Sequence, residues 1–267
     1  MNKARTRLIM VPLAEARLPA LTTLIDAYAQ TFPEAGKLTA VAGESDSDTL
    51  SLRTPTCTFA IGLMPAPIPW SDLSGPASAA WYWPEAAETL RPARAHAVIS
   101  VRSENADPIE LMFAITRVVS ALALVSSALG VYLAGAGQVH KVEDFVSEAT
   151  TATREQLPLY LWVRFDLVEQ TDGTISLFTI GMAQFELMEI EFPHAPLEPQ
   201  ALMDRAFNIA HYLLEQGPVL SSGHTIGTSA NEKFRVTHAA SARKGLDLVY
   251  RIELDLAARP RADALPN

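Results

Sequence analysis

Residues 118–139 carry no charged side chain, and this stretch limits the fold more than any other. A run of that length either crosses a bilayer, which takes about 20 apolar residues, or lies buried in a core. Ser120, Ser126, Ser127, Gly130, Gly135 and Gly137 dilute it, whereas insertion favours centres rich in Leu, Ile and Phe. The reading is therefore a buried helix over 108–129, with Asp107 as its cap and Pro108 in its first turn, turning at Gly130 into a short buried strand. The chain can supply the rest of a core. Hydrophobic residues make up 49% and charged residues 19% of 267, a balance that offsets ordering entropy where disordered chains cannot. The apolar run over 8–13 behind Lys3, Arg5 and Arg7 is interrupted by Pro12 and is too short for a signal-peptide core of about 7–15 residues. No membrane span is expected.

Charge and cysteine content remove several function classes. Lys and Arg number 21 against 30 Asp and Glu, a net charge of -9, the wrong sign for counterion-release binding to a phosphate backbone. No nucleic-acid partner is expected. Cys57 is the single cysteine, which excludes an intramolecular disulfide framework and a cysteine-rich zinc site and suits a cytoplasmic location.

Periodicity places strands over 8–13, 49–53, 57–64 and 95–102, an amphipathic helix over 18–32 and a helix over 142–151. Pro65, Pro67 and Pro69 argue for an irregular loop before and around Trp70, followed by a short helix over 84–90. In the C-terminal half, alternation over 159–170, the Asp172-Gly173 turn and a return over 174–180 predict a hairpin. Strands over 186–192, 234–240 and 246–254, the last two joined at Lys244-Gly245, surround a helix over 200–216 closed by Gly217. The polar segment 150–156 reads as the linker.

The expected fold is α+β: two lobes of mainly antiparallel sheet with packed helices, residues 1–150 and 151–256, and a polar tail over 257–267. Phe59-Ala60-Ile61-Gly62-Leu63 matches Phe178-Thr179-Ile180-Gly181-Met182, and Asp107-Pro108 matches Glu198-Pro199. The two offsets differ by the length of a Pro/Trp insertion that only the first half carries. Internal duplication stands beside chance as the explanation.

Several constellations bear on chemistry. Gly135-Ala136-Gly137 with His140 nearly writes a dinucleotide fingerprint, but the third glycine is missing, so a small-residue turn is expected. No Gly-x-Ser-x-Gly elbow occurs, and Cys57 sits in an apolar strand, where a thiol is inert. His140, Glu143 and Asp144 share one expected helical turn, which the Gly-rich turn bearing His224 can approach. Histidine with carboxylates can bind a metal or transfer protons, although this spacing matches no metalloenzyme signature. Glu186, Glu189 and Glu191 read as a solvated sheet face. The recognition candidates are Trp70, Trp81, Tyr82 and Trp83, with Asp72 and Glu85 beside them; such a segment either plugs a sheet face or binds a partner.

The run Gly62-Leu63-Met64-Pro65-Ala66-Pro67-Ile68-Pro69-Trp70-Ser71-Asp72-Leu73, with Trp83-Pro84-Glu85-Ala86, Thr179-Ile180-Gly181 and Gly223-His224-Thr225-Ile226-Gly227, resembles the bacterial family catalogued as domain of unknown function 4261. The proline–tryptophan segment is the specific part, and the likeness runs from about 8 to 254. The resemblance implies a bacterial, largely cytosolic protein associated with secretion and toxin-immunity neighbourhoods. It brings no catalytic residues.

The expected function is a non-enzymatic protein-binding module of the bacterial cytoplasm, immunity-like (toxin-neutralising) or secretion-associated. Its partner is a protein such as a basic toxin or effector, steered by the acidic surface and bound through Trp70, Asp72, Trp81, Trp83 and Glu85. No cofactor and no metal is expected; a homodimer stays open. The alternative is a small-molecule or metal-dependent enzyme with a site between the two lobes, using His140, Glu143 and His224.

Overall fold

The structure, a computed structural model, describes residues 7–103, 107–229, 232–243 and 248–254. Lys3, Arg5, the Lys244-Gly245 turn and the tail 257–267 lie outside the described residues. The chain divides into two compact units, Met1–Arg164 and Phe165–Asn267. The division falls later than residue 150 because the segment after the polar stretch is held by the first unit. Leu157, Leu159, Leu161 and Trp162 are buried, and the Trp162 indole N–H donates to the Thr116 hydroxyl at 2.9 Å. The fold is α+β, each unit a mainly antiparallel sheet with packed helices.

The first unit contains β1 (Ile9–Leu13), α1 (Leu21–Thr31), β2 (Thr39–Ala40), β3 (Thr49–Arg53), β4 (Thr58–Met64), α2 (Trp70–Ala79), α3 (Ala86–Leu90) and β5 (Ala95–Arg102). It continues through α4 (Pro108–Val125), β6 (Val131–Leu133), β7 (Gln138–His140), α5 (Val142–Thr151) and α6 (Leu159–Trp162). The sheet runs β2-β3-β4-β5-β1-β6-β7, and its pairings are antiparallel. The uncharged stretch supplies the end of α4, the following turn and β6. Asp107 caps α4, its carboxylate accepting from the Ile109 N–H at 3.0 Å. By length and composition α4 is apolar enough to cross a membrane, and 72% of it is buried where it packs on α1 and α5.

α2 stands where an irregular loop was expected. Pro69 precedes the helix, where its missing N–H breaks no bond, and Pro76 lies inside it. The bond that Pro76 cannot donate would have used the Asp72 carbonyl, four residues back; the Tyr132 hydroxyl donates to that oxygen instead, at 3.5 Å. His96 Nδ1 donates to the Ala66 carbonyl at 2.7 Å, tying the proline stretch to β5. Ile68, Leu73, Ala80, Trp83 and Leu90 then pack against Tyr132 and Val139. Gly130 permits this contact: a Cβ there would lie 2.9 Å from the Trp83 ring and 3.0 Å from the His140 carbonyl oxygen.

The second unit is built on β8 (Arg164–Glu169), β9 (Ile175–Ile180), a 3₁₀ turn (Met182–Phe185), β10 (Glu189–Ala195), α7 (Pro199–Gln216), β11 (Thr225–Ser229), β12 (Glu232–Ala240) and β13 (Leu248–Leu254). Its sheet order is β11-β12-β13-β10-β9-β8, with β10 parallel to β13. The expected turn forms, the Thr174 N–H donating to Asp172 Oδ1 at 3.0 Å. Of the matched peptides, Phe59 to Leu63 lies within β4, whereas Phe178 to Ile180 ends β9 and Gly181 and Met182 enter the 3₁₀ turn; the two acid-Pro pairs open α4 and α7 after the third strand of the β3-β4-β5 and β8-β9-β10 runs.

Glu189 and Glu191 are buried, which corrects their reading as a solvated face. The Glu189 carboxylate accepts from the Thr179 hydroxyl at 2.8 Å and from the N–H groups of Gly181, Met182 and Ala183 at 2.9, 3.2 and 3.2 Å. It thereby closes the first turn of the 3₁₀ segment, whose orphan N–H groups need an acceptor. Gly181 sits at φ 125, a conformation that favours glycine. Glu191 is held by Arg251 at 3.2 Å and by the Ser241 hydroxyl at 2.9 Å. Glu189→Ala strips four donors of their acceptor and is expected to lower unfolding stability by about 3 kcal/mol, read by chemical denaturation at neutral pH; a loss below about 0.5 kcal/mol would contradict this role.

Candidate functional site

Three backbone hydrogen bonds pin the turn between α2 and α3: Trp81 N–H to Ala79, Trp83 N–H to Ala80 and Ala86 N–H to Trp83, at 2.9, 2.8 and 3.0 Å. Ala80 and Trp83 point into the core, and Trp81 between them is 79% exposed. Its ring meets Tyr82 edge-on with centroids 5.8 Å apart. The Tyr82 hydroxyl donates to the Val139 carbonyl at 2.9 Å, and burial pushes that phenol up to about 12. A large exposed ring thus stands on a fixed support.

The other recognition candidates have different surroundings. Trp70 is half-buried, with the Arg91 guanidinium 4.3 Å above its ring. Asp72 is exposed in the first turn of α2, and Glu85 is exposed 4.0 Å from the Lys141 ammonium. Trp83, expected as a contact residue, is only 3% exposed; the space above Gly130 draws it into the core.

His140 closes β7 and is buried, whereas Glu143 and Asp144 are exposed on α5. The shared helical turn expected of these three does not form, because the helix begins only at Val142. The His140 ring stacks on Tyr82 at 5.6 Å and lies 6.0 Å from Phe145. Burial lowers its pKa to about 4, against the partial opposition of a hydrogen bond with the Leu161 backbone, and Nε2 is buried without a partner. His224 lies in the second unit, exposed, its Nδ1 accepting from the Ser221 N–H at 3.3 Å. Among the described residues no three His, Cys, Asp or Glu side chains gather closely enough to hold a metal ion. Gly135 to Gly137 form the β6–β7 turn, with Gly137 at φ 60 and the Arg164 guanidinium on its carbonyl at 2.8 Å. A strand follows rather than a helix, so the turn has no helix N-terminus to seat a phosphate.

Two concavities escaped sequence reasoning. One, of about 760 Å³, lies around the β3–β4 turn with Lys37, Arg53 and Arg102 in its lining. The other, of about 340 Å³, lies between α7 and β11–β12 and is lined by Arg205, Tyr212, Leu220, Ile226 and Phe234 among others. Each gathers residues that only strand register or helix packing brings together.

The family model of domain of unknown function 4261 matches residues 178–253, in agreement with the resemblance read from the motifs. The match lies within the second unit and takes in Thr179, Gly181 and Glu189 as well as the Gly223-to-Gly227 motif. The proline–tryptophan segment lies outside it. No curated protein and no solved structure matches the chain.

The buried His140 carries a pH dependence. Its folded pKa lies below the unfolded value near 6.5, so between pH 6.5 and about 4 the unfolded chain binds a proton that the folded chain excludes, and stability falls as pH drops through that window. At pH 4.5 this group contributes a loss of about 2–3 kcal/mol relative to pH 7. Urea unfolding of wild type and His140→Gln at the two pH values is expected to show a smaller acid loss in the variant; equal losses would contradict the buried neutral imidazole.

Proposed function

We propose that the protein is a non-enzymatic binding module that captures a protein partner through Trp81. The observation that supports this reading most is a single ring left 79% exposed on a turn whose flanking residues, Ala80 and Trp83, belong to the core. A tryptophan supplies a large apolar area with a polar N–H, which is why it recurs at binding hot spots. Because its backbone is already pinned, little loop-ordering entropy is lost on association. The net charge of -9 and the exposed carboxylates of Asp72, Glu85 and Glu88 favour a partner with a basic surface, which such a field steers toward the site. Neutralisation of a basic toxin or effector is the finer version of this proposal.

Capture of partners from the cells that make the protein, with wild type, Trp81→Ala and Trp83→Ala baits, tests the reading. One basic protein is expected near one-to-one with the wild type and reduced at least about tenfold by Trp81→Ala. That variant should unfold within about 0.5 kcal/mol of wild type, whereas Trp83→Ala should lose about 3–5 kcal/mol. Undiminished recovery by Trp81→Ala, or recovery of no partner by the wild type, contradicts the proposal.

A further inference from the structure

We infer that the open end of the seven-stranded sheet binds a small phosphate ester through Arg53, Arg102 and Lys37. Strand register assembles the site. Thr39 pairs with Arg53, Arg53 with Thr58, and Thr58 with Arg102. Residues directly opposite one another on neighbouring strands point to the same face, so the four make one transverse row, and all four are exposed. The two arginines, on β3 and β5, stand about 10 Å apart at the backbone with Thr58 between them. Their long side chains can converge on one oxyanion above it. The opposite face of β4 carries Phe59 and Ile61, both fully buried.

The charge distribution here opposes that of the whole chain. Acids outnumber bases 30 to 21 overall, yet among the described residues the cleft of about 760 Å³ has three cations and no carboxylate in its lining. Among the described residues, none of those three side chains makes an ion pair or a hydrogen bond. Like charges gathered in one cleft repel one another, and a bound anion reverses that term.

The hydroxyls sharpen the ligand class. The Thr39 hydroxyl donates to the Arg53 carbonyl at 3.4 Å and the Ser103 hydroxyl to the Thr56 carbonyl at 3.0 Å. By contrast, the Thr54 hydroxyl accepts from the Cys57 N–H at 3.2 Å, which leaves its proton to donate, and the Thr58 hydroxyl makes no hydrogen bond among the described residues. Beside its cations the site therefore offers the hydroxyl protons of Thr54 and Thr58, donors that a phosphate group can use. Its volume exceeds that of a bare ion and falls in the range of small-molecule sites. Among the described residues no aromatic ring lines it on which a nucleobase would stack, so the remainder of the ligand is a compact polar group, and a phosphorylated sugar fits best.

Isothermal titration calorimetry of the full chain with ribose 5-phosphate, inorganic phosphate and ribose, at low and at 0.15 M salt, tests the inference. Ribose 5-phosphate is expected to bind at least about tenfold more tightly than inorganic phosphate, ribose not at all, and added salt to weaken both anions. The double variant Arg53→Gln/Arg102→Gln should weaken the ester at least about tenfold with an unchanged melting temperature, because both side chains are exposed, while Arg17→Gln, in an exposed pair with Glu15, should leave it unchanged. No heat from either phosphate compound at millimolar concentration, equal affinities for ester and free phosphate, or undiminished binding by the double variant would overturn it.

Discussion

β6 and β7 are buried at every position, and the arrangement of the first unit follows from the need to cover both faces of the sheet at that end. Met10, Tyr132 and Val139 line up across β1, β6 and β7 and face the cluster formed by α2, α3 and the turn between them. Ile9 and Leu133, paired in the same strands, point the other way, and α4 packs on β1. A strand that is buried on both sides needs a layer on each. The excursion over residues 65–90 is that second layer, built from proline, alanine and tryptophan because it must turn sharply and still fill space.

The limited reach of this cover decides where the first unit meets its surroundings. At its inner edge Trp83 enters the core, and the pinned turn leaves Trp81 outside. Beyond its reach the outer face of β3, β4 and β5 is small and polar, with Thr58, Ala60 and Ser100 exposed and Arg53 and Arg102 at the end of the row. One packing decision thus yields a rigid apolar anchor and an open cationic cleft. The two are separable chemically, since the first calls for a protein pocket and the second for an anion.

The sequence was informative wherever local rules decide the outcome. β3 and β5 fall within their expected limits, as does α5, because alternation and helical spacing act over short distances. Asp107 was recognisable as a cap because a carboxylate before Pro108 satisfies a nearby N–H. What sequence reading missed depends on distant partners. The prolines around Trp70 forbade a helix on local grounds, yet the Tyr132 hydroxyl, remote in sequence, serves the carbonyl that Pro76 leaves open. Glu189 and Glu191 looked solvated because their donors arrive only through the 3₁₀ turn and from Arg251. Trp81 and Trp83, two residues apart, have opposite fates that are set by the space above Gly130. The Arg53–Thr58–Arg102 row exists only once β3, β4 and β5 are in register, and His140 parted from Glu143 because a strand end replaced the expected helical turn.

Amide hydrogen exchange tests the central claim most directly, because it reports whether the excursion opens with the sheet or apart from it. If residues 73–90 are a structural layer, their hydrogen-bonded amides, those of Trp83, Ala86 and Thr89 among them, will exchange as slowly as those of β1 and β6. Exchange within seconds across 73–90, while β1 and β6 stay protected, would mean that the segment is a detachable loop, and would remove the fixed support on which the role of Trp81 rests.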